Sequence, residues 1–239
     1  MRNLGTMTRR ELSAYFLSPI AYAVIAIFLF CTGLAFALGS FQNGAEASLR
    51  SLFQGWITLF LLLVLPMLTM RLLSEEYRGG TIESLMTAPV TDVEVVLGKF
   101  LGAFAFYLVL LATLLLYPLV MTFFGHVDWV LLFCNYLGLM LMGGLFIAVG
   151  LFFSACTKHQ VVAALCSMAL LAFMTFAFQG LSTAVEGWPK TLLLHLSVRS
   201  HFDDFVRGLL DINHVIFFVT MMALFLFLAV KTVEFRRWR

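Results

Sequence analysis

The sequence predicts an all-α integral membrane protein that crosses the bilayer six times, and three observations carry that expectation. Of its 239 residues, 62% are hydrophobic and 12% charged, against about 45–50% apolar and about 25% charged in an ordinary soluble domain. Six apolar runs are each long enough to cross a hydrocarbon core about 30 Å thick. The lysines and arginines, finally, fall unevenly on the segments between those runs.

The runs are Ile20 to Leu38, Leu52 to Met70, Phe100 to Phe124, Trp129 to Cys156, Val161 to Leu181 and Val215 to Val230. Backbone amides cannot stay unpaired in lipid, and runs this long without period-two alternation suit helices rather than barrel strands. Arg9 and Arg10 precede the first run, which contains Ala35-Phe36-Ala37. That run exceeds the ~7–15 apolar residues of a signal peptide, so it is expected to stay as a span. With six crossings, one side of the membrane collects Arg2, Arg9, Arg10, Arg71, Arg78, Lys99, Lys158, Lys231, Arg236, Arg237 and Arg239. The other collects Arg50, Lys190, Arg199 and Arg207. The positive-inside rule puts both termini in the cytoplasm. A bacterial inner (plasma) membrane is the expected location, with lipid as a partner of the spans.

The remaining composition narrows the classes. A formal charge of +2, with basic residues at span ends rather than in one patch, excludes nucleic acid as a partner. Cys31, Cys134, Cys156 and Cys166 lie in or beside apolar runs without a C-x-x-C pair, and buried, reduced thiols are expected. Neither a repeat nor a linker divides the chain, so residues 1–239 are expected to form a single transmembrane domain.

Three amphipathic pieces lie outside the runs. Thr8-Arg9-Arg10-Glu11 has capping-box spacing, and Leu12, Tyr15 and Phe16 share a face before Pro19, which predicts an N-terminal interfacial helix. In residues 74–99, Gly79-Gly80 breaks the chain and Thr81 caps a helix with Ile82, Leu85 and Met86 on one face, ended by Pro89. Thr91-x-x-Glu94 is then a second capping box, with Val93, Val96, Leu97 and Phe100 on one stripe leading into the third span. In the outer loop, residues 182–214, an outer-leaflet helix is expected. Phe202, Phe205, Val206, Leu209 and Leu210 share its apolar face, and Asp203 and Arg207 pair on its polar side.

The chemistry is defined largely by what is missing. Gly98-Lys99 is followed by Phe100, and Gly79-Gly80-Thr81 lacks the lysine, so no P-loop is present and the chain is not expected to bind ATP or any other cofactor, or to act as an enzyme. Gly180-Leu181-Ser182-Thr183-Ala184 approaches a nucleophile elbow but ends on alanine. No metal-ligand motif occurs, and no metal is expected. The central portions of the spans carry no ionisable residue, unlike ion-coupled carriers. Energy must then come from outside the spans, or the protein is a passive channel or carrier. Thr32, Thr58, Asn135, Ser167 and Thr175 suit either a pathway lining or helix–helix hydrogen bonding. Pro66 and Pro118 should kink their helices, and Gly143-Gly144 permits close approach. A membrane-embedded enzyme or assembly scaffold would have to draw on His195, His201, Asp203, Asp204 and Asp211, carboxylates that solvation of an amphipathic helix explains more simply.

The segment Glu-Glu-Tyr-Arg-Gly-Gly-Thr-Ile-Glu-Ser-Leu-Met-Thr-Ala-Pro-Val-Thr from Glu75, with Val-Val-Leu-Gly-Lys ending at Lys99, closely resembles the cytoplasmic signature of ABC-2 type permeases. The chain looks most like small permease subunits described as gliding-motility-associated, including His201-Phe202-Asp203 and the ending Glu234-Phe235-Arg236-Arg237-Trp238. The resemblance implies a permease that couples ATP hydrolysis by a separate cytoplasmic ABC ATPase dimer, which holds the ATP and Mg, to translocation, with export expected. Two six-span halves would work together, the second identical or a homologue carrying an extracytoplasmic domain. Residues 81–88 would be the coupling helix, with Glu75, Glu76, Arg78 and Glu83 as its polar contacts, within a signature that includes Gly80, Thr81, Ile82, Leu85 and Pro89.

Overall fold

The computed structural model describes residues 2–40, 52–80, 91–123, 128–184 and 187–237. Among the described residues no strand occurs, and six stretches are long and apolar enough to cross a membrane: Ala21–Leu38, Ile57–Gly79, Asp92–Met121, Trp129–Cys156, Gln160–Ser182 and Ile212–Arg236. They match the six predicted runs in order, so the chain is a multi-pass, all-α membrane protein. The third span starts earlier than its apolar run. The Thr91–Glu94 capping box forms as expected, Glu94 N–H donating to Thr91 Oγ1 (3.3 Å) and Thr91 N–H to Glu94 Oε2 (3.2 Å), and it starts the helix at Asp92. At 30 residues this span is about 45 Å long, so its first turns project beyond a ~30 Å core.

In chain order the helices are α1 (Arg2–Leu17), α2 (Pro19–Ser40), α3 (Ile57–Thr69), α4 (Ser74–Gly79), α5 (Asp92–Leu114), α6 (Leu116–Met121) and α7 (Trp129–Cys156). α8 (Gln160–Ala172), α9 (Phe178–Ala184), α10 (Trp188–Leu196), α11 (Val198–Val206) and α12 (Ile212–Arg237) complete the chain. A π-helical turn, Leu52–Trp56, leads into α3, and a second, Phe173–Ala177, joins α8 to α9. Six crossings bring α1 and the end of α12 to one end of the bundle, the terminal end.

α7 is the centre, and its glycines explain why. A Cβ added at Gly143 would lie 2.2 Å from the Tyr107 ring of α5, at Gly144 2.5 Å from Met222 Cε of α12, at Gly150 1.9 Å from Thr69 Oγ1 of α3, and at Gly138 2.8 Å from Phe205 Cβ of α11. Lipid supplies little hydrophobic drive between helices, so close approach over small residues is what holds them. Tyr107 Oη–H donates to Leu139 O (2.7 Å), closing the α5–α7 contact with a fully buried bond. Pro66 stays inside α3 without a break. Before Pro118 the helix does break, at Leu115, because the proline ring crowds the carbonyl four residues back.

α1 starts six residues before the predicted cap: Thr8 lies inside the helix, its Oγ1 bonded to Leu4 O (2.9 Å), and caps nothing. The helix lies along α5 in steps of one turn. Met7 faces Gly98 and Glu11 faces Gly102, at 2.9 Å and 2.6 Å from an added Cβ, and Tyr15 stacks on Phe106 with centroids 5.1 Å apart. Leu12, Tyr15 and Phe16 pack on the core as the pattern predicts.

Two expectations for the outer loop are corrected. α11 ends at Val206, and Gly208 at φ 80° takes the left-handed conformation there. Gly208 N–H bonds Phe205 O (2.9 Å) and Leu209 N–H bonds Asp204 O (2.9 Å), the Schellman pattern that stops a helix. Leu209 and Leu210 are therefore exposed, and the buried face is Val198, His201, Phe202, Phe205 and Val206. The ion pairs are Arg199–Asp203 (4.0 Å) and Asp204–Arg207 (3.8 Å) rather than Asp203–Arg207. The thiols also differ: Cys156 and Cys166 are exposed rather than buried.

Candidate functional site

At the terminal end the chain leaves α3, turns, and forms α4. Ser154 of α7 fixes the turn: its Oγ accepts from Leu73 N–H (3.0 Å) and Ser74 N–H (3.1 Å) and donates to Met70 O (3.0 Å). One hydroxyl thus uses its donor and both lone pairs on a single turn. α4 buries Ser74 and Tyr77 and exposes Glu75 and Arg78. The Arg236 guanidinium of α12 sits 4.5 Å from the centroid of the Tyr77 ring and also donates to Cys156 O. Gly80 ends α4 at φ 69°, a conformation glycine adopts without strain.

Lys99 of α5 joins three helices. Its Nζ lies 2.7 Å from Glu76 Oε1 of α4 and 3.2 Å from Glu11 Oε1 of α1, and its side chain is 4% exposed. The pairing turns the buried face of α5 toward Val95, Val96, Lys99 and Phe100, so Val93 is 48% exposed and does not belong to the expected stripe.

The residues the sequence points to therefore divide. Glu75, Arg78 and Gly80 lie on the exposed side of the α4 stem, whereas Glu76 faces inward to Lys99. Thr81, Ile82, Glu83, Leu85 and Pro89 lie outside the described residues. Glu11, Tyr77 and Arg236, named in the sequence for other reasons, and Ser154, not named at all, complete the junction. Lys99, a cation at the start of a long apolar helix, was the available signal for a buried pair; Ser154 has none in the sequence.

The mid-span polar residues divide too. Thr32 Oγ1 bonds Phe28 O (2.7 Å) and Tyr117 Oη (2.9 Å), and Ser167 Oγ–H turns back to Ala164 O (2.9 Å). Thr58 Oγ1, Asn135 Oδ1 and Thr175 Oγ1 are buried without a hydrogen-bond partner among the described residues. Asn135 and Thr175 lie six and seven residues inside the far ends of Trp129–Cys156 and Gln160–Ser182, about 10 Å at 1.5 Å per residue, whereas Thr58 is the second residue of Ile57–Gly79. Thr175 stands in a π-helical turn.

At the far end, His201, Asp204 and the backbone of His195 converge through His214, which the sequence did not single out. His201 Nδ1 lies 2.6 Å from His214 Nδ1, His201 Nε2 3.0 Å from His195 O, and His214 Nε2 3.1 Å from Asp204 Oδ2. Burial holds His201 below the usual histidine range and pushes the Asp203 carboxyl above the usual carboxylate range. Asp211 stands apart, its carboxylate held low by the Asn213 backbone N–H that it accepts at 3.0 Å.

The family described as ABC-2 family transporter protein matches the chain over residues 34–236. No curated protein matches it.

Proposed function

The chain belongs to the ABC-2 transporter family, and from that premise we propose that it is the permease half of an ATP-driven exporter in a bacterial inner membrane, with both termini cytoplasmic. Residues 74–99 form the segment that couples it to a separate ABC ATPase dimer, where ATP and Mg are held. A second permease subunit, identical or carrying an extracytoplasmic domain, completes the pathway, and the gliding-motility-associated members are the subfamily it fits.

The observation that carries this reading is the Lys99 junction. α4 ends at Gly80 and α5 is capped by Thr91, and these two stems flanking residues 81–90 are tied to one cation: α4 through Glu76 and α5 through Lys99 itself. A force on the intervening segment is thereby delivered to the second and third spans together, and through Ser154 to α7. A plain interfacial loop needs no such anchorage. The partnerless oxygens of Asn135 and Thr175, at similar depths on two spans, and of Thr58 at the outer end of another, support a polar stage of the pathway there.

The test is reconstitution with the ATP-binding-cassette protein that co-purifies with the chain. Glu83→Arg and a Gly80-Thr81 disruption are expected to abolish ATP-dependent transport while the thermal unfolding of the permease stays unchanged. Intact transport in both variants would overturn the coupling assignment.

A further inference from the structure

α11 is tied to the start of α12 by a continuous chain: His195 O, His201, His214 and Asp204, with contacts of 3.0, 2.6 and 3.1 Å. The protons in that chain can be counted. A carbonyl oxygen only accepts, so His201 Nε2 carries a proton. An ionised carboxylate only accepts, so His214 Nε2 carries one as well. The central pair of nitrogens needs a single proton between them. The contacts therefore hold three protons on two rings, one more than two neutral imidazoles supply, and Asp204 balances the surplus charge. A proton resting on Asp204 instead leaves the count unchanged.

The count has two edges. A fourth proton sets N–H against N–H at the closest contact in the chain. Loss of the third leaves lone pair facing lone pair, either between the rings or at one end. Both open the chain.

We propose that His201, His214 and Asp204 form a proton-binding site that latches α11 to the last span in one protonation state, and that loading or emptying the site releases α11. A cavity of about 460 Å³, lined in part by His195, His201, Asp211 and His214, lies against the rings. The surrounding charges are few. α10 brings His195, and α11 brings Asp204 with Arg207 at 3.8 Å, and Asp203 paired with Arg199 on its other side. The turn before α12 brings Asp211, and α7 carries no charged side chain within its length. Burial disfavours charge on His201, and the Asp204 carboxylate faces the His214 ring at 3.1 Å.

Release would be felt in the bundle. α11 places Phe202 and Phe205 over Gly138 of α7 and packs against both π-helical turns. His201 stacks on Phe217 of α12 at 4.1 Å, so the same ring carries the hydrogen bonds and the packing.

The experiment is hydrogen exchange of the α11 amides in the full chain in lipid nanodiscs, corrected for intrinsic rates, from about pH 5 to about pH 9. Wild type is expected to be best protected in the middle of that range and to lose protection on both sides. Asp204→Asn leaves an acceptor but no counter-charge, so the alkaline limb should move down by about one pH unit. His201→Phe keeps the stack and removes both hydrogen bonds, and its protection should lose the bell shape. A flat or one-sided wild-type profile overturns the proposal, as does an alkaline limb unmoved in Asp204→Asn. A bell-shaped profile that survives in His201→Phe does so too. Wild type and Asp204→Asn decide the matter even where His201→Phe does not fold.

Discussion

A Cβ added at Gly150 would lie 1.9 Å from Thr69 Oγ1, which makes this the tightest of the glycine contacts around α7. Thr69 is held there by its bond to Leu65 O (2.9 Å) and is fully buried, so it has little room to turn away. Gly150→Ala is expected to cost about 1–3 kcal/mol through overpacking. Adding Thr69→Ala should recover part of the loss, because it removes the oxygen at 1.9 Å but keeps the Thr69 Cβ at 2.8 Å. Thermal unfolding of the purified single and double variants checks this; equal midpoints for Gly150→Ala and wild type would mean the helices separate freely at this point.

Gly208 makes a different demand. Its φ of 80° and the Leu131 Cδ1 atom 3.1 Å from an added Cβ both oppose a side chain. Gly208→Ala is expected to destabilise the α11 end by about 1 kcal/mol or more. The effect should be local, appearing as faster exchange at the Gly208 and Leu209 amides, which close the Schellman bonds, before any change in global unfolding.

How far the sequence reaches can be read from these two glycines. Span number and order follow from hydropathy alone, because a lipid core tolerates few alternatives. Gly143 and Gly144 stand out as a pair, whereas Gly138 and Gly150 are single residues whose meaning depends on which neighbour faces them. Gly208 is the kind of residue that ends a helix, yet the apolar pattern runs on through Leu209 and Leu210 and masks the stop. At the Lys99 junction, the resemblance singled out the segment but not its internal partner. Glu76 is acidic like Glu75, and only the register of α4 against α5 decides that one faces Lys99 and the other the exterior. His214 escaped notice because a lone histidine near a span end carries no pattern of its own.

Asp203 provides a test in pH. Its folded-state pKa is raised, chiefly by burial, against the opposing pull of Arg199 and Arg207. The folded chain therefore binds a proton more tightly at this position than the unfolded chain does. Stability from this group is greatest below the unfolded carboxylate value and is lost as pH rises through the raised folded value. Asp203→Asn cannot ionise, so its stability relative to wild type should climb over that window and then level off. A relative stability that instead falls as pH rises would show the Arg199 pairing outweighing burial.

Lys99 is the residue whose removal reaches furthest. Lys99→Met keeps the length of the side chain but leaves Glu11 and Glu76 facing each other across a nearly enclosed space. Breaking a buried pair by taking one partner costs about 3–5 kcal/mol, largely because the remaining charge is stranded. Glu76→Gln should cost less, since Glu11 still neutralises the ammonium. Combining Lys99→Met with Glu11→Gln and Glu76→Gln removes every charge and should restore much of the stability. That triple variant separates two roles of the junction. If the cation is needed only to hold the fold, the triple variant regains ATP-dependent transport along with its unfolding temperature. If the ion pairs carry force from the 81–90 segment into α4 and α5, stability returns while transport stays low, because the neutral side chains no longer bind the stems to one another.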